Sequence, residues 1–190
     1  LHCLNNTVMC AGDVSVTDNS GKRGTLSGGL VKAGGKIDCV NLGVEGDTAT
    51  HVQAFVRYNK YKQGINELKE RYKLAQDKTM EVIRAEMDLK KKPKSERSED
   101  DALEIERMKS DNSAHMTQVK EKLGSADSEL ERLLTENIIS VKNRVYSRVT
   151  VQYGEETIIT KREHGPSTFS FNQYTIKFSS MIEGVEDEEL

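Results

Sequence analysis

The chain has no tryptophan, and aromatic residues make up only 5% of its 190 residues. Hydrophobic residues contribute 35% and charged residues 31%. Few core-forming side chains together with much charge are typical of partial disorder or of an elongated fold in which each segment buries only a thin interior. We therefore expect an elongated fold rather than a compact globule.

Cysteine is also scarce, with Cys3, Cys10 and Cys39 as the three examples. An odd number without close spacing argues against a disulfide framework and against a zinc site. The four histidines form no metal-binding motif. The glycines at 28–29 and 34–35 lack the lysine-serine ending of a phosphate-binding loop. We therefore predict no catalytic residues, no cofactor, no metal and no enzyme activity.

Long apolar runs are missing as well. No segment approaches the ~20 apolar residues that a membrane-spanning helix needs, and no signal-peptide pattern is present. The net charge of −3 is spread over well-mixed signs and favours neither a basic face nor nucleic-acid binding. We expect no membrane insertion. Because the chain begins with Leu1 rather than Met, we interpret it as a piece of a longer protein.

The first zone, residues 1–56, is rich in glycine and repeats itself. Segments 7–16 and 29–40 each consist of a short alternating strand, a glycine turn and a second short strand. Aligning Ala11 with Ala33 gives a repeat of 22 residues. A repeat of this length with glycine corners predicts β-solenoid coils. Two ordinary hairpins remain the alternative.

The second zone, residues 57–137, has apolar residues spaced three and four positions apart, typical of a coiled-coil seam. The series is Tyr58, Tyr61, Ile65, Leu68, Tyr72 and Ala75 on the first arm, and Ala102, Ile105, Lys109, Asn112, Met116, Val119, Leu123, Ala126, Leu130 and Leu133 on the second. After Ala75, the series on the first arm shifts by about one position to Met80, Ile83 and Met87, which we interpret as a stutter.

The two arms are separated by a polar tip at about residues 92–98. Pro93 cannot continue a helix, and Ser98 with the acids that follow it is a good helix start. Arms of similar length joined by a short loop pair in antiparallel orientation. The pattern predicts an antiparallel coiled-coil α-hairpin.

The third zone, residues 138–182, returns to alternating β patterns that we expect to complete the same β unit as the first zone. Residues 183–190 are mostly acidic and predict a disordered tail. The fold class is therefore α+β: a β-solenoid fragment that carries a long inserted α-hairpin.

Two groups of residues are candidates for partner binding. Tyr58, Tyr61 and Tyr72 lie on the stripe of the first arm, where the alternative is seam packing with the hydroxyls at the edge. The second group is the tip lysines Lys90, Lys91 and Lys92, where the alternative is a solvated tip whose charge is balanced by the acids that follow.

The glycine coil at 33–37, the pair of charged helices and the segment 139–151 together resemble bacterial flagellar assembly protein A, in its β-solenoid and coiled-coil region. Asn143 and Ser147 depart from the glycine- or proline-type turn of that family. The resemblance implies a right-handed parallel β-helix with a coiled coil, in a cytoplasmic protein that affects flagellation through protein contacts. It transfers no catalytic residue.

The function favoured by these observations is a non-enzymatic scaffold or regulator in flagellar assembly or in polar placement of the flagellum, with a protein partner. A bacterial morphogenesis or division scaffold that self-assembles through its β-helix is the alternative, and a homo-oligomer fits either function. A carbohydrate-active β-helix enzyme is less favoured, because neither grouped catalytic acids nor hexapeptide turns are present.

Overall fold

The computed structural model describes residues 1–46, 48–93 and 97–182. The predicted tail at 183–190 and the centre of the predicted tip at 94–96 lie outside the described residues. The chain divides into two units, one formed by Leu1–Asn59 with Leu130–Leu190 and the other by Lys60–Glu129. Each unit is described by itself.

Over the described residues, ten strands and two helices follow one another. Their bounds are β1 His2–Cys10, β2 Val14–Val16, β3 Thr25–Ala33, β4 Ile37–Leu42, β5 Thr50–Gln53, α1 Tyr58–Lys91, α2 Glu99–Glu136, β6 Ile139–Val145, β7 Val149–Tyr153, β8 Glu156–Ile159, β9 Ser167–Phe171 and β10 Ile176–Ser180.

The first seven strands stack in parallel as successive coils. Strand β3 lies on β1 with Thr25 beside His2, and β4 lies on β2 with Ile37 beside Val14. Strands β5 and β7 continue one side, and β6 continues the other. Parallel pairing of consecutive coils excludes the alternative of two ordinary hairpins, whose strands would be antiparallel.

The first two coils repeat every 23 residues rather than the 22 predicted from the sequence. The prediction aligned identical Ala-Gly pairs, but backbone bonding sets Gly35 over Gly12, with the Gly35 N–H donating to the Gly12 carbonyl at 3.0 Å. Gly34 then sits so close to the preceding coil that a Cβ atom would lie 2.0 Å from the Ala11 carbonyl oxygen. The repeated Ala-Gly pair therefore indicates where each corner lies, but not which residues of successive coils are paired.

Both helices belong to one corner of the solenoid. Residues 11–13 connect β1 to β2, residues 34–36 connect β3 to β4, and residues 54–138 connect β5 to β6 at the equivalent place. The Val56 N–H donates to the Ala33 carbonyl at 3.1 Å, and the Ile37 N–H donates to the Ile138 carbonyl at 3.1 Å. The long insertion thus begins and ends on the backbone of the previous corner, so that β6 resumes the coil that β5 started.

The last three strands change direction, and the sheet is mixed. Strand β8 pairs antiparallel with β7, β9 with β6, and β10 with β9. The parallel β-helix that the family resemblance implied therefore does not extend to these last three strands. The turn from β7 to β8 contains only Gly154 and Glu155, and two residues can reverse a strand but cannot make a parallel crossover.

The core of the β unit fills the interior of the coils with aliphatic side chains and closes at the antiparallel end with aromatic ones. Alternation along each strand places every second side chain inward. The largest fully buried side chains are Tyr153, Phe55, Phe169, Leu26, Ile37, Leu42, Ile139, Val31, Val52, Val141, Val145 and Val149.

The helix ends follow the local signals in the sequence. The Ser98 hydroxyl accepts a 3.4 Å hydrogen bond from the Asp101 N–H, which confirms Ser98 as a cap. Acids occupy the first turn of α2, and Lys90 and Lys91 occupy the last turn of α1. Both arrangements place charge where the helix dipole stabilises it.

Candidate functional site

The contact line between the two helices keeps its spacing along α1, and the predicted slip is wrong. Between Tyr61 and Leu89, buried or half-buried residues recur at strict intervals of three and four, whereas Met80, Ile83 and Met87 are exposed. The residues of this line, called the seam below, are Tyr61, Ile65, Leu68, Tyr72, Ala75, Thr79, Val82, Glu86 and Leu89 on α1, and Ile105, Asn112, Met116, Val119, Leu123 and Ala126 on α2.

A polar group stands in the middle of the seam. Asn112 is only 6% exposed, and its side-chain amide donates to the Ala75 carbonyl at 3.0 Å and to the Thr79 hydroxyl at 2.6 Å. The Thr79 hydroxyl lies 2.9 Å from the Ala75 carbonyl and 3.1 Å from the Met116 sulfur. A buried amide bonded in this way fixes which residues of the two helices face each other.

A second polar contact lies closer to the tip. Glu86 binds Lys109 at 3.2 Å across the seam and Lys90 at 2.6 Å along α1. Hydrogen bonds from Lys90 and Lys109, together with their positive charges, lower the pKa of the Glu86 carboxyl. Lys109, a polar member of the stripe on α2, therefore faces a polar residue of α1.

The spacing of apolar residues alone placed the later part of the α1 seam wrongly, because the polar seam residues are followed directly by apolar ones. Thr79 and Glu86 occupy seam positions, while the next residues, Met80 and Met87, are apolar and point away from the contact line. The usable signal was on the other helix: the polar pair Lys109 and Asn112 required polar partners at matching levels of α1.

The displaced apolar residues form a surface with α2. Met80 is 53% exposed, Ile83 39% and Met87 55%. Across the groove from Ile83, α2 presents the exposed hydroxyl residues Ser113 and Thr117. We call this surface the methionine face; it comprises Met80, Ile83, Met87, Ser113 and Thr117.

A groove of about 420 Å³ lies between the two helices, beside Ile83. Ile83, Ser113 and Thr117 line its walls, and Asn112 and Met116 of the seam line it as well. The lining is mixed: Val82 and Met116 are apolar, whereas Lys109 and Lys120 bring positive charge to the groove.

Tyr58, the first of the predicted partner residues, is 3% exposed. Its ring packs edge-on against Phe171 at 5.0 Å and Phe55 at 6.2 Å, and its hydroxyl donates to the Gln173 carbonyl at 3.3 Å. Burial, followed by the influence of Tyr174 and Glu156, raises the pKa of the phenol. Tyr58 thus anchors the start of α1 in the β unit, which favours the packing alternative.

The other predicted partner residues do not converge on one site. Tyr61 and Tyr72 are half-buried seam residues, and Tyr72 also lines the groove. Lys90 binds Glu86, and Lys91 binds Asp88 at 3.0 Å.

Lys92 is exposed, and its carbonyl accepts a 2.9 Å bond from Arg97. None of the predicted partner residues belongs to the methionine face.

Within the described ranges, no group of three or more His, Cys, Asp or Glu side chains is placed to hold a metal ion. Over the same residues, no helix combines the length and apolar character that crossing a membrane requires.

A family model described as the flagellar assembly protein A beta solenoid domain matches residues 1–176. No curated protein and no solved structure matches the chain. The matched range contains the stacked coils and both helices and extends to the first residue of β10. The chain therefore belongs to the flagellar assembly protein A family, through its β-solenoid domain.

Proposed function

We propose that this protein is a non-enzymatic scaffold in bacterial flagellar assembly or polar flagellum placement, acting through protein–protein contacts in the cytoplasm and at the cell pole. The observation that carries the proposal is the family match over residues 1–176. The geometry agrees with it, since the most distinctive surface is an exposed apolar face with a groove, and such faces are typical of protein contacts.

In this proposal the two units have separate tasks. The stacked coils form a right-handed parallel β-helix that serves as the rigid support, and residues 57–137 form an antiparallel coiled-coil hairpin that docks the partner. The 3–4 seam spacing and the bonded Asn112 support the coiled coil.

Residues of the hairpin edge are proposed to contribute to partner binding. Tyr72 lines the groove, and Tyr61 lies further along the same seam. Lys90, Lys91 and Lys92 would supply positive charge near the tip, where they favour an acidic segment of the partner. Tyr58 acts through the attachment of α1 rather than through contact, because it is buried.

Replacing residues 60–129 by a Gly-Ser linker of about six residues tests the proposal. Packed helices lie ~10 Å apart, which such a linker spans, and Phe55 and Tyr58 keep their buried places. In a flagellated bacterium that expresses the variant from its own locus, we expect lost or misplaced flagella and loss of the partner from pull-downs. Normal flagella with an unchanged set of captured proteins would show that the hairpin has no such role.

Self-assembly through the β-helix, as in a morphogenesis or division scaffold, is the competing function. Among the described strands, β1 pairs on one side only, so its outer edge is available to another strand. The antiparallel strands at the other end oppose growth, because they do not offer a continuation of the parallel stack. Negative-stain microscopy separates the two functions: filaments favour the competitor, and discrete particles favour the flagellar scaffold.

A further inference from the structure

We propose that a second groove between α1 and α2, lined by Leu74 and Met108, binds an amphipathic helix of a partner protein. The charged residues of that helix change sign along its length, from acidic to basic. The proposal deepens the proposed function and rests on it, because it takes the hairpin as the docking unit and names the site and the chemistry of the partner.

The second groove consists of two parts that meet at Met108. The first part, of about 330 Å³, lies between residues 71–78 of α1 and residues 108–115 of α2. The second part, of about 280 Å³, lies between residues 85–92 and residues 101–108. Because Met108 lines both parts, the groove follows α1 for about six turns, or about 30 Å.

The residues that line the groove repeat at the spacing of one helix face. In the first part they stand at positions 71, 74, 75 and 78 on α1 and at 108, 111, 112 and 115 on α2. In the second part they stand at 85, 88, 89 and 92 and at 101, 104, 105 and 108. Two rows of this kind form a channel that fits the side chains of a third helix. An extended strand fits it less well, because successive side chains of a strand point to opposite sides.

Large apolar side chains lie exposed on both helices of the first part. Leu74 of α1 is 68% exposed and Met108 of α2 is 41% exposed. The seam residue between them, Ala75, has a small side chain and also lines the groove. An apolar side chain of a partner that enters here covers Leu74 and Met108 together, which supplies the hydrophobic part of the contact.

The first part of the groove is basic. Arg71 and Lys78 line it from α1. Its one acidic residue, Asp111, lies 3.9 Å from Arg107 of the same helix. Over the described residues, neither Arg71 nor Lys78 forms an ion pair within the chain. Both are therefore available to carboxylates of a partner.

The second part of the groove is acidic. Asp88, Asp101 and Glu104 line it, against the single basic residue Lys92. Asp88 binds Lys91 at 3.0 Å. In the part of the chain that the structure describes, the carboxylates of Asp101 and Glu104 form no ion pair.

This change of sign along one groove selects the partner through charge complementarity. The partner helix carries Asp or Glu beside Arg71 and Lys78, Lys or Arg beside Asp101 and Glu104, and apolar side chains in a 3–4 spacing between them. An anionic lipid surface or a nucleic acid offers negative charge alone, which suits the first part of the groove and opposes the second.

Fluorescence anisotropy of the full chain with synthetic helical peptides of about 21 residues, or about six turns, tests the proposal. All peptides carry leucine in a 3–4 spacing. In the first peptide glutamate flanks the leucines of one half and lysine those of the other; in the second glutamate flanks both halves, and in the third lysine does. We expect the first peptide to bind at least about tenfold more tightly than either of the others. Equal binding of all three, or binding of none, would overturn the proposal.

Variants of the chain locate the binding site. Leu74→Asp should weaken binding of the first peptide by at least about tenfold. Leu103→Asp is the matched control, because Leu103 is 69% exposed but does not line this groove. Arg71→Glu combined with Lys78→Glu should weaken the first peptide and strengthen the third. Circular dichroism verifies that each variant keeps its helices. Equal effects of Leu74→Asp and Leu103→Asp would contradict binding in the groove.

Photo-crosslinking in a flagellated bacterium identifies the natural occupant. A benzophenone amino acid at position 74 should crosslink to a helical segment of another protein with the stated order of charges, whereas the same amino acid at position 103 should not. Crosslinks to a second copy of this chain, or to a segment without that order, would overturn the proposal.

The flagella themselves separate this proposal from the proposed function. If replacing residues 60–129 abolishes flagellation and Leu74→Asp leaves it normal, the hairpin acts through another surface and only the groove is wrong. If the replacement itself has no effect, the docking role of the hairpin is wrong as well.

Discussion

Asn112 of α2 donates a 2.6 Å hydrogen bond to the hydroxyl of Thr79 on α1, and this pair sets the alignment of the two helices. Both residues are polar members of an otherwise largely apolar contact line. If the helices slid by one heptad, the Asn112 amide would lie opposite Leu68 and Tyr72 or opposite Val82 and Glu86. It would then lose both of its present hydrogen bonds, at a cost of ~1–3 kcal/mol. The pair therefore selects one alignment rather than adding much net stability.

Asn112→Ala should lower the free energy of unfolding of the helical unit by about 1–3 kcal/mol, because it leaves a void and removes the partner of Thr79. Thermal melting followed at 222 nm measures the effect. Ser110→Ala, at an exposed position of the same helix, is the control and should change stability by less than about 0.5 kcal/mol. Equal melting of the two variants would contradict a structural role for the buried amide.

Tyr58→Ala should destabilise the β unit by about 3–5 kcal/mol, since it removes a buried ring packed on Phe55 and Phe171. Tyr58→Phe keeps the ring and loses only the bond to Gln173, so we expect a loss of about 1 kcal/mol. Denaturant titration measures both. Tyr174, 79% exposed, offers the control: Tyr174→Ala should be close to neutral. A neutral Tyr58→Ala would show that Tyr58 does not anchor the start of α1.

Gly34→Ala should cost at least about 2 kcal/mol or shift the coil register, because the added Cβ would overlap the Ala11 carbonyl. Gly12→Ala, at the equivalent corner of the first coil, meets no atom within 4 Å and serves as the control. Amide hydrogen exchange of the Gly35 N–H, which donates to the Gly12 carbonyl, reports the local effect. The stacking of coils at this corner would be wrong if both alanines were equally tolerated.

The carboxyl of Glu86 should titrate below an ordinary glutamate, because Lys90 and Lys109 bind its charged form. A pKa that is lowered in the folded state gives stabilisation that is present above the unfolded pKa and is lost as the pH falls through the folded pKa. Carbon-detected NMR titration should show the pKa moving up towards its usual value in Lys109→Met. An unchanged pKa would mean that the contact across the seam does not form in solution.

Cys39 should resist thiol reagents in the folded protein, whereas Cys3 and Cys10 should react. Cys39 is fully buried, and burial raises the pKa of its thiol to about 12, so little thiolate is present at pH 8. The other two cysteines are half-buried. A colorimetric titration should therefore find two reactive thiols before unfolding and three afterwards. Three at the outset would indicate an open coil interior around Cys39.

The local sequence determined most elements of this protein. Pro93 and Ser98 separate the two helices, the glycines of the corners end the strands, and the spacing of apolar residues distinguishes helix from strand. These signals act over a few residues, because capping, proline geometry and side-chain direction depend on near neighbours. Family likeness could be recognised at the same level, since it rests on strand and corner patterns along one chain.

Tertiary structure decided what depends on distant partners. The repeat is 23 residues because backbone bonds between coils, rather than identical residues, set the register. The antiparallel direction of β8 and β9 depends on their pairing with β7 and β6, which belong to the parallel stack. Thr79 lies in the seam and Met80 outside it because Asn112 needs a bonded partner inside the contact line. The residues next to a position in the sequence do not reveal its distant partners. The methionine face could therefore be identified only from the structure of the two packed helices.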